Sequence, residues 1–117
     1  MSYNAVADKS FKFAVRIVNL RKYLTDSKKE FVMSKQLLRC GTSIGANIAE
    51  AEKAQSTADF YTKLTIALKE ANETHYWLRL LQATDYLTDE QFKSIEEEAT
   101  ELIALLVSIT KSLKDRI

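Results

Sequence analysis

Proline is absent from this sequence, glycine occurs only as Gly41 and Gly45, and cysteine and histidine occur once each, as Cys40 and His75. So few turn residues exclude a many-stranded sheet, whose hairpins depend on them. A single cysteine excludes an internal disulfide and fits a reducing compartment. The longest apolar-rich run, residues 102–109, falls far short of the roughly 20 residues needed to cross a bilayer. The first ten residues, MSYNAVADKS, have neither a basic start nor an apolar centre, so no signal peptide is visible. The expectation is a soluble cytoplasmic chain without membrane contact.

What is present points to helix. The 117 residues are 46% hydrophobic and 28% charged, which suits a single globular domain over residues 1–117. Periodicity and capping signals divide the chain into four helices. The first is predicted over about Lys9–Leu24, with Asp8 as N-cap and Phe11, Ala14, Ile17, Val18 and Leu24 on its apolar face. The second covers about Lys29–Lys53. The third runs over about Thr57–Ala83, with Ser56 as cap and Asp59 in its first turn. The fourth starts after Thr88, whose spacing to Gln91 is that of a capping box. In this last helix Phe92, Ile95, Ala99, Leu102, Leu106, Ile109 and Leu113 alternate by three and four, a seam that packs nearly parallel or antiparallel to its neighbours. Ile103, Leu105 and Val107 fall outside the seam. They imply either a wide core stripe or a second surface buried by another subunit.

Both glycines lie inside the second helix. At about 100° per residue, Met33, Leu37, Cys40, Ile44, Ile48 and Ala51 form its core stripe. Gly41, Gly45 and Ala49 make a smooth ridge beside it. Each glycine costs about 1 kcal/mol of helix propensity relative to alanine, a cost that a close backbone approach, within the bundle or between subunits, can offset. The segment GTSIG has neither the spacing nor the lysine of a phosphate-binding loop. The other edge of this helix carries Gln36, Arg39, Ser43, Asn47 and Glu50. That stripe is either solvated or a hydrogen-bonded network at a subunit contact.

The run QLLRCGTSIGANIAEA, followed by DFYTKLTIALKEANETHYWLRLL, resembles the bacterial family of 23S rRNA intervening-sequence proteins, also described as ribosomal-protein-like. The resemblance spans nearly the whole chain and centres on Ser43–Glu50. It implies an up-and-down antiparallel four-helix bundle, assembly into homopentameric rings, and no catalytic activity. Relatives serve as accessory proteins of diversity-generating retroelements, beside a reverse transcriptase and nucleic acid. The family takes its name from where some of the genes lie, within insertions in ribosomal RNA genes. Many members continue Ala-Glu with Gly where this chain has Ala51, so the second helix is expected to run on before turning.

The chemistry-bearing residues do not assemble into a catalytic pattern. Di-metal sites in helix bundles use Glu-x-x-His pairs, whereas His75 lies five residues after Glu70 and two after Glu73. Cys40 sits on the core stripe and reads as an inert buried thiol. No cofactor and no metal is expected. Tyr76 and Trp77 either stack bases or pack a core or interface.

Charge is divided unevenly. Residues 1–58 hold ten Lys and Arg against five Asp and Glu, hence +5, and residues 59–117 hold seven against eleven, hence −4. The halves either attract each other or leave a basic surface for a partner. Lys9, Lys12 and Arg16 share one face of the first helix, and Lys35 and Arg39 are four apart on the second. If the two rows merge, they form a candidate contact for RNA or DNA. If Glu96, Glu97, Glu98 and Glu101 neutralise them, the chain reads instead as a homo-oligomeric scaffold for a protein partner.

Overall fold

The computed structural model describes residues 3–117; Met1 and Ser2, part of the expected domain, lie outside the described residues. Four helices follow one another: α1 (Tyr3–Asp26), α2 (Met33–Ala51), α3 (Thr57–Ala83) and α4 (Asp89–Lys114). They form an up-and-down antiparallel bundle, 46 Å long and about 20 Å across. Consecutive helices pack along their length, and α4 closes the bundle against α1 through a thinner seam.

The ends of α3 and α4 are fixed locally. Ser56 accepts a hydrogen bond from the Asp59 N–H, and Thr88 and Gln91 form a reciprocal capping box, each satisfying amides that the helix itself leaves open. The ends of α1 and α2 depart from expectation. Asp8 is not a cap: it lies inside α1, paired with Lys12 at 3.0 Å, and the helix begins five residues before it, at Tyr3. The Tyr3 hydroxyl donates to the Ile48 carbonyl, and its ring lies 5.4 Å from that of Phe60. These contacts tie the first described turn of α1 to α2 and α3. The start of α2 moves from Lys29 to Met33 because Glu30 caps from outside the helix. Its buried carboxylate accepts from the amides of Val32, Met33 and Ser34 at 2.7–3.1 Å. Lys29 enters this turn at φ 55°. At the other end α2 stops at Ala51 rather than running on to Lys53.

The core joins one stripe from each helix: Phe13, Ile17 and Leu24 of α1, Leu37, Ile44 and Ile48 of α2, Leu64, Leu78 and Leu81 of α3, and Leu102 and Leu106 of α4. The seam expected in α4 is buried except at Ile109, which is half-buried while Thr110 takes the interior position. In α1 the expectation fails at two positions. Phe11 and Val18 face solvent, and Val6 and Phe13 occupy the core instead.

Candidate interaction surfaces

Gly41 and Gly45 lie at the joint of α1 and α2. A Cβ on residue 41 would stand 2.8 Å from two carbons of the Ile17 side chain, and one on residue 45 would stand 3.3 Å from the Ser10 carbonyl oxygen. The glycines therefore set how closely these two helices approach within one chain. Ala49, the third member of the ridge, is exposed. Above the joint runs a shallow groove of about 330 Å³, floored by Ala14, Gly45, Ala46 and Ala49 and flanked by Phe11. Phe11 is 69% exposed, and Val15 and Val18 continue the strip along α1. An aromatic ring and two branched side chains in water form an apolar patch of the kind that marks a contact surface. On α4, Ile103 and Leu105 are half-buried and pack against the core, while Val107 is 46% exposed.

The two basic rows do not merge. On α1, Lys9 pairs with Glu101 at 3.0 Å, and Arg16 pairs with Glu98 and also donates to the hydroxyl and carbonyl oxygens of Ser94. This row closes the thin α1–α4 seam. On α2, Arg39 turns the other way and reaches Glu70 at 3.3 Å and Glu73 at 2.5 Å on α3. The Glu73 hydrogen bond, first among several influences, holds the guanidinium pKa above its ordinary value. Lys12 is paired with Asp8. Of the five cations singled out, only Lys35 has no carboxylate partner among the described residues. The charge imbalance between the halves is thus partly spent within the bundle.

The polar stripe of α2 faces α3. Gln36 accepts from Arg39, Ser43 donates to the Arg39 carbonyl, Asn47 donates to the Ser43 carbonyl, and Glu50 meets Lys63 at 3.8 Å. It is a network inside one chain, between exposed or half-buried groups. His75 of α3 meets Glu96 of α4 at 2.8 Å, and among the described residues no group of three His, Cys, Asp or Glu side chains is arranged to hold a metal ion. Cys40 is buried, and burial pushes its thiol pKa up, against a smaller opposing hydrogen bond with Thr74. A raised pKa removes the thiolate that nucleophilic chemistry requires.

The sequence places the connection between α1 and α2 at TDSKK, residues 25–29, and in the structure the loop extends through Val32. Phe31 and Val32 are 56% and 76% exposed there, and Lys28 and Lys29 beside them are exposed and have no ion pair among the described residues. The signal for it was the run of KK followed two residues later by FV, in a stretch otherwise read as the start of a helix.

These four helices and their joints can be set beside known proteins. The family model described as 23S rRNA-intervening sequence protein matches residues 3–108. The chain belongs to that family. A solved structure from Bacteroides thetaiotaomicron, a protein of unknown function from the S23 ribosomal protein family, is 66% identical. It covers 95% of this chain and 99% of its own, with a TM-score of 0.93. No curated protein matches. The intervening-sequence family thus accounts for the bundle, while neither description assigns a reaction.

Proposed function

We propose that this chain is a non-enzymatic, homo-oligomeric member of the intervening-sequence family, a cytoplasmic scaffold that holds a protein partner, and that its assembly is a pentameric ring. The observation that carries this reading is the exposed apolar strip of Phe11, Val15 and Val18 beside the groove over Gly45, Ala46 and Ala49. Leaving such a strip in water is unfavourable, by about 25 cal/mol for each Å² of apolar surface that a contact would remove. Closed rings bury such faces without open ends. The single buried cysteine supports a reducing compartment, and the spacing of His75 from Glu70 and Glu73 supports the absence of metal chemistry.

The experiment is the mass of the purified protein in solution at roughly 20 µM, for the native chain and for Phe11→Glu, since one charge placed in an apolar contact should separate the subunits. A mass of five chains that falls on substitution supports the ring. A native mass of one chain removes it.

A second reading, association with RNA or DNA, is favoured by one observation only. The lysines of the α1–α2 loop and its flanks, Lys22, Lys28, Lys29 and Lys35, are exposed and have no ion pair among the described residues. The rows on the bundle walls give it little support, because Lys9, Lys12, Arg16 and Arg39 are already occupied by carboxylates.

A further inference from the structure

We infer that the end of the bundle carrying the α1–α2 loop and the α3–α4 turn binds the same end of a second copy, the loop of each chain lying across the turn of the other. This self-contact is separate from the ring of the proposed function, and it claims the loop lysines for a partner other than nucleic acid. Among the described residues each helix packs only against its neighbours in chain order, with α4 returning to α1. The four helix ends at one pole therefore stand in a square. The α1–α2 loop closes one edge of that square, and the α3–α4 turn closes the opposite edge.

The two edges carry opposite charge. Lys28 and Lys29 are exposed on the loop, and the carboxylate that follows them, Glu30, is buried and turned inward onto three amides. On the other edge Asp85, Asp89 and Glu90 are exposed. Asp89 accepts from the Gln82 side chain at 2.9 Å, and with Glu90 it favours the start of α4 through the helix dipole. None of these five exposed groups has an ion pair among the described residues. Neighbouring helices stand about 8–10 Å apart, so the two edges face the same way without meeting. Asp26 before the loop and Lys93 one turn into α4 are the opposite charges nearest in sequence, both exposed. Each edge is also held in place. The Ser27 and Glu30 amides donate to the Tyr23 and Leu24 carbonyls at 2.9 Å, and the Tyr86 and Leu87 amides donate to the Leu81 carbonyl at 2.9 and 3.3 Å. Lys29 and Asp85 both take left-handed backbone conformations, at φ 55° and 67°. Charges fixed before a partner arrives lose less freedom when it binds.

A pole with unpaired cations on one edge and unpaired carboxylates on the opposite edge is its own complement. Rotation by half a turn, about an axis lying between the edges, sets each lysine edge over the partner's acidic edge, and the two pairings so formed are identical. Phe31 and Val32, 56% and 76% exposed, belong to the same loop, so the contact that pairs the charges also covers them. A uniformly acidic partner, such as nucleic acid or an anionic membrane, would meet the carboxylate edge along with the lysines. The end face measures 21 by 19 Å, hence about 400 Å², half of the roughly 800 Å² per partner in a standard interface. The contact between two single bundles is therefore weak, and salt screens it. If the ring forms, every copy presents this pole in the same direction, and two rings meet rim to rim with contacts that add by avidity.

The test is sedimentation of the full chain at roughly 200 µM and at about 50 and 500 mM salt. The unit present at the higher salt, whether one chain or a ring, should double in mass at the lower. Lys28→Glu with Lys29→Glu should abolish the doubling, and so should Asp89→Lys with Glu90→Lys. Mixed in equal amounts, the two variants should associate again, because an acidic loop then faces a basic turn, and a basic loop an acidic turn, across the same axis. Phe31→Ala should weaken the doubling several-fold. Circular dichroism confirms that each variant is folded. Doubling that survives either reversal overturns the contact, as does a mixture that stays apart or a native chain that never doubles. Since the readout is relative to the unit at high salt, failure of the ring leaves this test intact, and failure of the contact leaves the ring intact. Retention of the native chain on phosphatidylglycerol-containing vesicles, or binding of an oligothymidylate, without any doubling would give the loop to an acidic partner and overturn the self-contact.

Discussion

Ile17 of α1 occupies the space that a side chain at position 41 of α2 would need, its Cγ1 and Cγ2 both 2.8 Å from where a Cβ would stand. Alanine at Gly41 gains about 1 kcal/mol in helix propensity but drives a methyl into a buried side chain with nowhere to retreat. Overpacking of that kind costs about 1–3 kcal/mol, so Gly41→Ala is expected to be net destabilising in urea denaturation, and Gly41→Leu more so. Gly45→Ala meets only a 3.3 Å contact with the Ser10 carbonyl and should lie within about 0.5 kcal/mol of the native chain, its propensity gain offsetting the crowding.

Glu30 replaces a helix cap, and removing its carboxylate leaves three amide groups at the head of α2 without partners. Glu30→Ala should lower stability by about 1–2 kcal/mol. The loop should also exchange its amide hydrogens faster, starting with those of Val32, Met33 and Ser34. Unchanged exchange at those amides would show that the carboxylate is not what holds the turn.

The Tyr3 hydroxyl pKa is pushed up to about 12, chiefly by burial and secondarily by the Glu52 carboxylate. The folded state therefore favours the neutral phenol. Its contribution is fully present below pH 10, the unfolded value, and is lost as pH rises through the interval from 10 to about 12. Tyr3→Phe should lose about 1 kcal/mol at pH 8 with the hydrogen bond to Ile48. The gap between the two proteins should narrow as alkali is added. Denaturation midpoints of both, measured across that range, check the sign, and a gap that widens would contradict it.

Cys40 should resist an aromatic disulfide reagent at pH 8 while the chain is folded, and react at the rate of a free thiol once it is denatured, because burial both raises its pKa and blocks access. Rapid modification of the native protein would place the thiol at an opening that this packing does not contain.

Where the sequence agreed with the structure, the deciding signal was local. Ser56 and Thr88 cap with their own side chains, and α3 spans the residues predicted for it. The alternation in α4 selects one face, since the opposite face is rich in glutamate. In α1 the pattern is double: Val6, Phe13 and Ile17 line one side, and Phe11, Val15 and Val18 another. Periodicity alone cannot say which side meets the other helices. The early start of α1 depends on Ile48 and Phe60, 45 and 57 residues away from Tyr3. Contacts over such separations are not visible to a reading of neighbouring residues. The ion pairs of Lys9, Arg16 and Arg39 were hidden for a related reason, since they depend on which helix stands beside which. The loop at Phe31 and Val32 was absorbed into the predicted α2 because a cap set from two to four residues upstream leaves no serine or threonine to mark the boundary.

Tyr3 and Arg116 border a single groove at one end of the bundle, and Lys28 and Lys29 stand at the other, with a molecule 46 Å long between them. Rotation about a ring axis cannot turn a subunit over, so a closed ring of these bundles has two unlike rims. With the bundles standing along the ring axis, one would carry the lysine loops and the other the groove bordered by Tyr3 and Arg116. A label at a residue of that groove, such as Arg116, would then sit on the rim opposite the lysines, where it can count subunits without obstructing whatever the loops hold.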